Sequence, residues 1–110
     1  MKKNAKEIQS LCRQIVENFN PQKIILFGSH AYGKPNEDSD VDLLVIMPFE
    51  GDNAYKGVEI LLSLKTKIPL DLLVRTSEQV GARIEMEDFF MREIMEQGKV
   101  LYESDNARMG

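Results

Sequence analysis

The stretch that most limits how this chain can fold is DVDLLVIM, residues 40–47. Residues 41–47 have the length and the apolar, β-branched character of a strand buried on both faces, ended by Pro48. Side chains two positions apart on a strand share a face. Asp40 and Asp42 therefore project together, followed on that face by Leu44 and Ile46. Val41, Leu43 and Val45 line the other face. An ionised carboxylate beside a buried strand is costly unless something compensates it, and two such groups also repel each other. A divalent cation relieves both penalties. Hard oxygen donors suit Mg²⁺, which takes one or two protein carboxylates and leaves its other positions to water and substrate phosphates.

Two further segments repeat or complement this theme. KIILF, residues 23–27, reads as another short strand that is apolar on both faces, and Gly28-Ser29 ends it. A glycine at a strand end lets backbone approach a ligand closely. If a helical turn begins at Ser29 and runs through SHAYG, its first N–H groups and the Ser29 hydroxyl can face a phosphate. Gly33 would permit the tight turn that follows, and the loop continues through Lys34, Pro35 and Asn36. LDLLVRT, residues 70–76, follows Pro69 as a third strand, with Asp71 interrupting it as Asp42 interrupts the second. Adjacent strands could bring Asp71 to the same face as Asp40 and Asp42. Three carboxylates from two neighbouring strands would hold two metals about 4 Å apart, the arrangement that clamps attacking and leaving oxygens in phosphoryl or nucleotidyl transfer. Asp71 could also accept the proton of an incoming hydroxyl.

The residues alone leave alternatives open. NEDSD has ordinary turn composition. Asp71 could be a strand-end residue paired with Arg75. Lys34 could reach an outer phosphate or remain a solvated loop residue. His30, the single histidine, could contact phosphate or sit in a surface turn.

Helices surround these strands in the pattern. Residues 4–19 form an amphipathic helix with Ile8, Leu11, Cys12, Ile15, Val16 and Phe19 in one stripe, ended by Pro21. A second helix is expected over 53–66, with Val58, Leu61, Leu62 and Leu64 facing inward. Ser77 is the expected N-cap of the next. A further helix runs from 87 to 97, with Phe89, Phe90, Ile94 and Met95 as core candidates and Gly98 as its cap. KVLYE is a last strand, and residues 103–110 are expected to fray. Helices alternating with doubly apolar strands mean an α/β or α+β fold, a small mixed sheet of three to four strands flanked by helices, in a single domain spanning 1–110.

Bulk properties narrow the function. A formal net charge of −4 argues against sequence-independent nucleic-acid binding, which relies on Lys and Arg at phosphates. One cysteine, Cys12, excludes an internal disulfide and fits a cytoplasmic setting; it reads as a small buried hydrophobe rather than a nucleophile. No signal peptide is expected at the N-terminus, and no apolar run approaches the roughly 20 residues of a membrane span.

Gly28-Ser29, ten intervening residues, Asp40-x-Asp42 and a later strand Asp71 together resemble the signature of the nucleotidyltransferase superfamily that includes DNA polymerase beta. The short chain and its ending FFMREIMEQGKVLYE resemble the minimal nucleotidyltransferases, and the likeness runs from the first helix to Tyr102. The resemblance implies the nucleotidyltransferase fold. It implies Asp40, Asp42 and Asp71 as catalytic and Mg²⁺-binding residues. It also implies that the Gly28-Ser29 turn holds the triphosphate of ATP, with His30 as a further candidate nucleotide-binding residue. Many relatives carry arginine directly after Gly-Ser and again two residues on, where this chain has His30 and Tyr32. Such proteins are often paired with a HEPN-domain toxin, act as its antitoxin, and transfer AMP from ATP to one of its tyrosines.

The expected activity is therefore Mg²⁺-dependent transfer of AMP to a hydroxyl acceptor. The acceptor is held partly by another protein, because nothing in the chain is left over for an acceptor domain. Candidate contact surfaces are the 53–66 helix and the residues Ile84, Met86, Phe89, Phe90 and Met91. The alternatives are a non-catalytic module that neutralises a partner by contact, and a transferase for a small molecule.

Overall fold

The computed structural model describes residues 3–33 and 40–105. Lys34 and the loop after it, and the last five residues of the tail, lie outside the described residues. In chain order the elements are α1 (Lys3–Phe19), β1 (Lys23–Phe27), α2 (Ser29–Tyr32), β2 (Val41–Ile46), α3 (Asn53–Ser63), β3 (Leu70–Arg75), α4 (Ser77–Glu85), α5 (Phe89–Gln97) and β4 (Lys99–Glu103). The strands form one mixed sheet in the order β3-β2-β1-β4. β1 is antiparallel to β2 and to β4, whereas β2 and β3 are parallel. A parallel pair needs a crossover, and α3 supplies it.

Alternation along each strand separates two cores. On one side of the sheet Ile8 and Ile15 of α1 and Ile60 of α3 meet Ile24, Leu26, Val41, Leu43, Val45 and Val74. On the other, Val80 of α4 and Met91 and Ile94 of α5 meet Ile25, Phe27, Leu44 and Ile46. Burial on both sides is why these strands are apolar throughout. Asp42 shares the second face with Leu44 and Ile46, at the start of β2.

Several expectations are corrected. In α3 the helical period holds but its phase does not. Gly57 and Ile60 face inward, while Val58, Leu61 and Leu62 are exposed, Leu62 by 82%. The Gly57 side of the helix is the one turned to β3, where a Cβ on Gly57 would lie 3.9 Å from the Leu72 carbonyl and from Val74. Leu64 is the C-cap and is half-buried, so α3 ends at Ser63 rather than 66.

The N-cap of α4 is Thr76, not Ser77. Its hydroxyl accepts from the Gln79 N–H at 3.1 Å, and the Gln79 side chain accepts in return from the Thr76 N–H at 3.0 Å. α5 begins at Phe89, because Glu87 adopts a positive φ of 59° and the Asp88 carboxylate caps the helix by accepting from Met91 N–H. That start turns Met91 and Ile94 inward and leaves Phe89 and Phe90 exposed. At the other end Glu103 belongs to β4, and the Ser104 N–H donates to the Gln22 carbonyl at 2.9 Å, so the chain is held to that point rather than frayed. No helix among the described residues is long and apolar enough to cross a membrane.

The phase of α3 is open to direct measurement. Ile60→Ala should cost about 2–5 kcal/mol in urea unfolding, the usual effect of emptying a closed core position, and Leu62→Ala should stay within about 0.5 kcal/mol. Comparable losses at both positions would contradict this packing.

Candidate active site

β1 runs straight out of the buried core into Gly28, which has φ 77° and ψ −157°. L-residues rarely adopt that conformation. Space is equally restrictive: a Cβ at Gly28 would collide with Asp42 Oδ2 and lie 3.0 Å from its Cγ. The end of β1 and the start of β2 therefore close on each other, with glycine backbone against a carboxylate.

α2 is a single turn. Ala31 and Tyr32 N–H donate to the Gly28 carbonyl at 3.0 and 3.1 Å, and Gly33 N–H donates to the Ser29 carbonyl at 3.0 Å. Gly28 provides the cap position without a side-chain hydrogen bond. One turn has little macrodipole, so what it offers an anion is its leading N–H groups and the Ser29 hydroxyl rather than a long helix field. Gly33 is extended, with φ −116°, which any residue can adopt. Glycine is favoured there because a Cβ would stand 3.0 Å from the Ser29 Cα.

The carboxylates come from β2 and β3. The parallel register sets Asp42 beside Asp71, and the antiparallel register sets Asp42 opposite Phe27. Asp42 is half-buried, whereas Asp40 and Asp71 are exposed. The Asp42 carboxyl is held above its ordinary range. Burial is the main cause, followed by the negative charges of Asp71 and Asp40, with a hydrogen bond to the Asp71 side chain acting in the same direction; His30 pulls against them. Asp42 and Asp71 thus touch. Asp40 lies one residue before β2 begins, close enough for its charge to act on Asp42.

Among the described residues no three His, Cys, Asp or Glu side chains form a ready-made metal cage. The converged element is a carboxylate pair, and the chemistry of that pair fits Mg²⁺, which needs no more than one or two protein carboxylates. Ser29 and His30 stand on the turn that follows Gly28, so every described residue expected at the site lies at one corner of the sheet. Phe27 ends β1, as its strand pattern predicts, and Phe90, expected in the core, is exposed. Their rings meet edge-on with centroids 5.8 Å apart, and through Phe27 they border Asp42. The signal available for this was the position of Phe27 immediately before Gly28-Ser29.

A family model for polymerase beta nucleotidyltransferases matches residues 6–107. The chain is 36% identical over 81 residues to a candidate protein adenylyltransferase of Methanocaldococcus jannaschii, a stretch covering 74% of this chain and 78% of that protein. Its fold is similar to that of a candidate nucleotidyltransferase from Sulfolobus solfataricus, with a TM-score of 0.63 and 14% identity over 91% of this chain and 80% of the other. It is also similar to a crystal structure of the toxin–antitoxin pair MntA–HpeT, with a TM-score of 0.51 and 19% identity over 94% of this chain and 76% of that one. At these identities the structural likenesses concern the fold.

The raised affinity of Asp42 for its proton has a consequence for stability. A proton held more tightly by the folded than by the unfolded chain contributes stability that is full below the ordinary carboxylate range, near pH 3.9, and is lost as pH rises through the elevated folded value. With divalent cations chelated, urea unfolding should therefore show stability falling as pH rises out of the carboxylate range. Asp42→Asn should flatten that fall and be more stable than the parent at neutral pH. An asparagine variant that is less stable than the parent at pH 7 would contradict it.

Proposed function

This chain belongs to the polymerase beta nucleotidyltransferase family, and from that premise we propose that it transfers AMP from ATP to a hydroxyl of a partner protein. The observation that carries the proposal is the junction of Gly28 with Asp42 while Asp42 is paired with Asp71. A phosphate-approachable backbone and two adjoining acidic oxygens meet at one point.

In this reading Gly28, Ser29 and His30 hold the triphosphate, by backbone N–H groups, hydroxyl and imidazole. Asp40, Asp42 and Asp71 would hold Mg²⁺, which when bound offsets the carboxylate charge and that of the departing pyrophosphate. The acceptor oxygen attacks the α-phosphorus, a new P–O bond forms, and the bond to pyrophosphate breaks. The acceptor proton passes to the Asp71 carboxylate, which is exposed at the outer strand and so accessible to an incoming group, or to water. The substrate would be ATP. The acceptor would be a tyrosine of a HEPN-domain toxin, with this chain as the antitoxin in the cytoplasm. A relative named as a protein adenylyltransferase and a structural likeness to a toxin–antitoxin pair support that choice.

A second reading has its own observation. Tyr55, Val58, Leu61 and Leu62 form an exposed apolar side of α3, and neutralisation of a partner by contact alone would use such a surface.

Incubation with labelled ATP, Mg²⁺ and the protein encoded beside this one separates the two. Label retained on the partner, and lost to background with the Asp40→Ala, Asp42→Ala double variant, is the expected result. A tight complex that acquires no label would favour the contact mechanism.

A further inference from the structure

We propose that Phe90 is the platform on which the base of the bound nucleotide stacks; this extends the nucleotidyl-transfer reading and rests on it. Phe90 remains 53% exposed although its ring meets Phe27 edge-on, with centroids 5.8 Å apart and planes at 82°. Phe27 is buried and stands opposite Asp42 in the antiparallel ladder. Directly opposite residues of such a pair share a face, so the Phe27 ring and the Asp42 carboxylate are neighbours. Phe27 is also the residue before Gly28, one peptide and about 3.8 Å away between Cα atoms. A nucleotide whose phosphates rest on the Gly28-Ser29 turn therefore finds the Phe90 ring at the border of its own site.

The edge contact with Phe27 fixes Phe90 without covering it. An aromatic surface held in this way suits a flat π-system, and every base has one; stacking of this kind tolerates base identity. A second exposed apolar cluster, Tyr55, Val58, Leu61 and Leu62, is on α3, which packs against the opposite side of the sheet through Ile60. It cannot serve the same nucleotide. The turn at residues 29–33, SHAYG, carries no lysine or arginine, so an added contact to the base would supplement the phosphate contacts.

The chain contains no tryptophan, so Phe90→Trp places a single reporter fluorophore on the platform. ATP with Mg²⁺ should quench its emission saturably, and inorganic tripolyphosphate, which has phosphates but no base, should not. In calorimetry Phe90→Ala should weaken ATP about tenfold or more, the scale of one base–aromatic stack, and leave tripolyphosphate affinity unchanged. Phe90→Leu keeps an apolar contact with Phe27 but lacks the π-face; it should also lose ATP affinity, and it carries the comparison if circular dichroism shows the alanine variant unfolded. ATP affinity equal to the parent's in both variants overturns the platform and leaves the phosphate site standing. Failure of the parent to bind either ATP or tripolyphosphate overturns the underlying reading, and the platform with it. Retained ATP affinity with loss of partner-protein binding would assign Phe90 to protein docking and likewise overturn the proposal.

Discussion

The pairing of Asp42 with Asp71 is the constraint around which this small sheet is arranged. Two carboxylates brought into contact on neighbouring strands repel when both are ionised, and the burial of Asp42 adds to the cost. The fold tolerates the arrangement because it sits at the start of β2, where the apolar face gives way to solvent and Asp71 lies open. Gly28 makes it possible sterically, since any side chain there would occupy the space of the Asp42 carboxylate. Stability is given up at one corner, and a bound cation with its phosphates is what would recover it.

The rest of the scaffold explains why the pair meets. Carboxylates two residues into β2 and two residues into β3 become neighbours when the strands run parallel in the observed register. Parallel pairing depends on the α3 crossover, which turns its Gly57 and Ile60 side inward. Packing on both faces then fixes the register, because a one-residue slip of β2 would turn Leu43 and Val45 out of one core and Asp42 into it. Residues far from the chemistry, such as Ile60 and Ile94, thus act on it through strand alignment.

Much of this was legible in the residues. Short strands apolar on both faces implied a sheet covered by helices on each side, and the Gly-Ser, Asp-x-Asp and later Asp spacing marked the corner where they converge. What was not legible depended on helix phase and on caps. The inward side of α3 carries Gly57 and Ile60, whereas Leu61 and Leu62, which apolar periodicity turns inward, are exposed. The start of α5 is set by Glu87 in a left-handed conformation and by the Asp88 cap, and shifting that start moved Phe89 and Phe90 from the expected core to the surface. Thr76 outcompeted Ser77 as a cap because Gln79, not Val80, stands at the third helical position to return the hydrogen bond. The contact of Gly28 with Asp42 joins residues fourteen positions apart, and only the strand pairing reveals it.

Whether a divalent cation binds at the Asp42–Asp71 corner can be read from Mn²⁺ titration followed by backbone amide NMR. At the lowest Mn²⁺ additions the amides of Gly28, Ser29, Asp42 and Asp71 should broaden selectively, and the broadening should be abolished in an Asp42→Asn, Asp71→Asn variant. Broadening that first affects another acidic region, such as Glu50, Asp52 and Glu59, while leaving this corner sharp would contradict binding there.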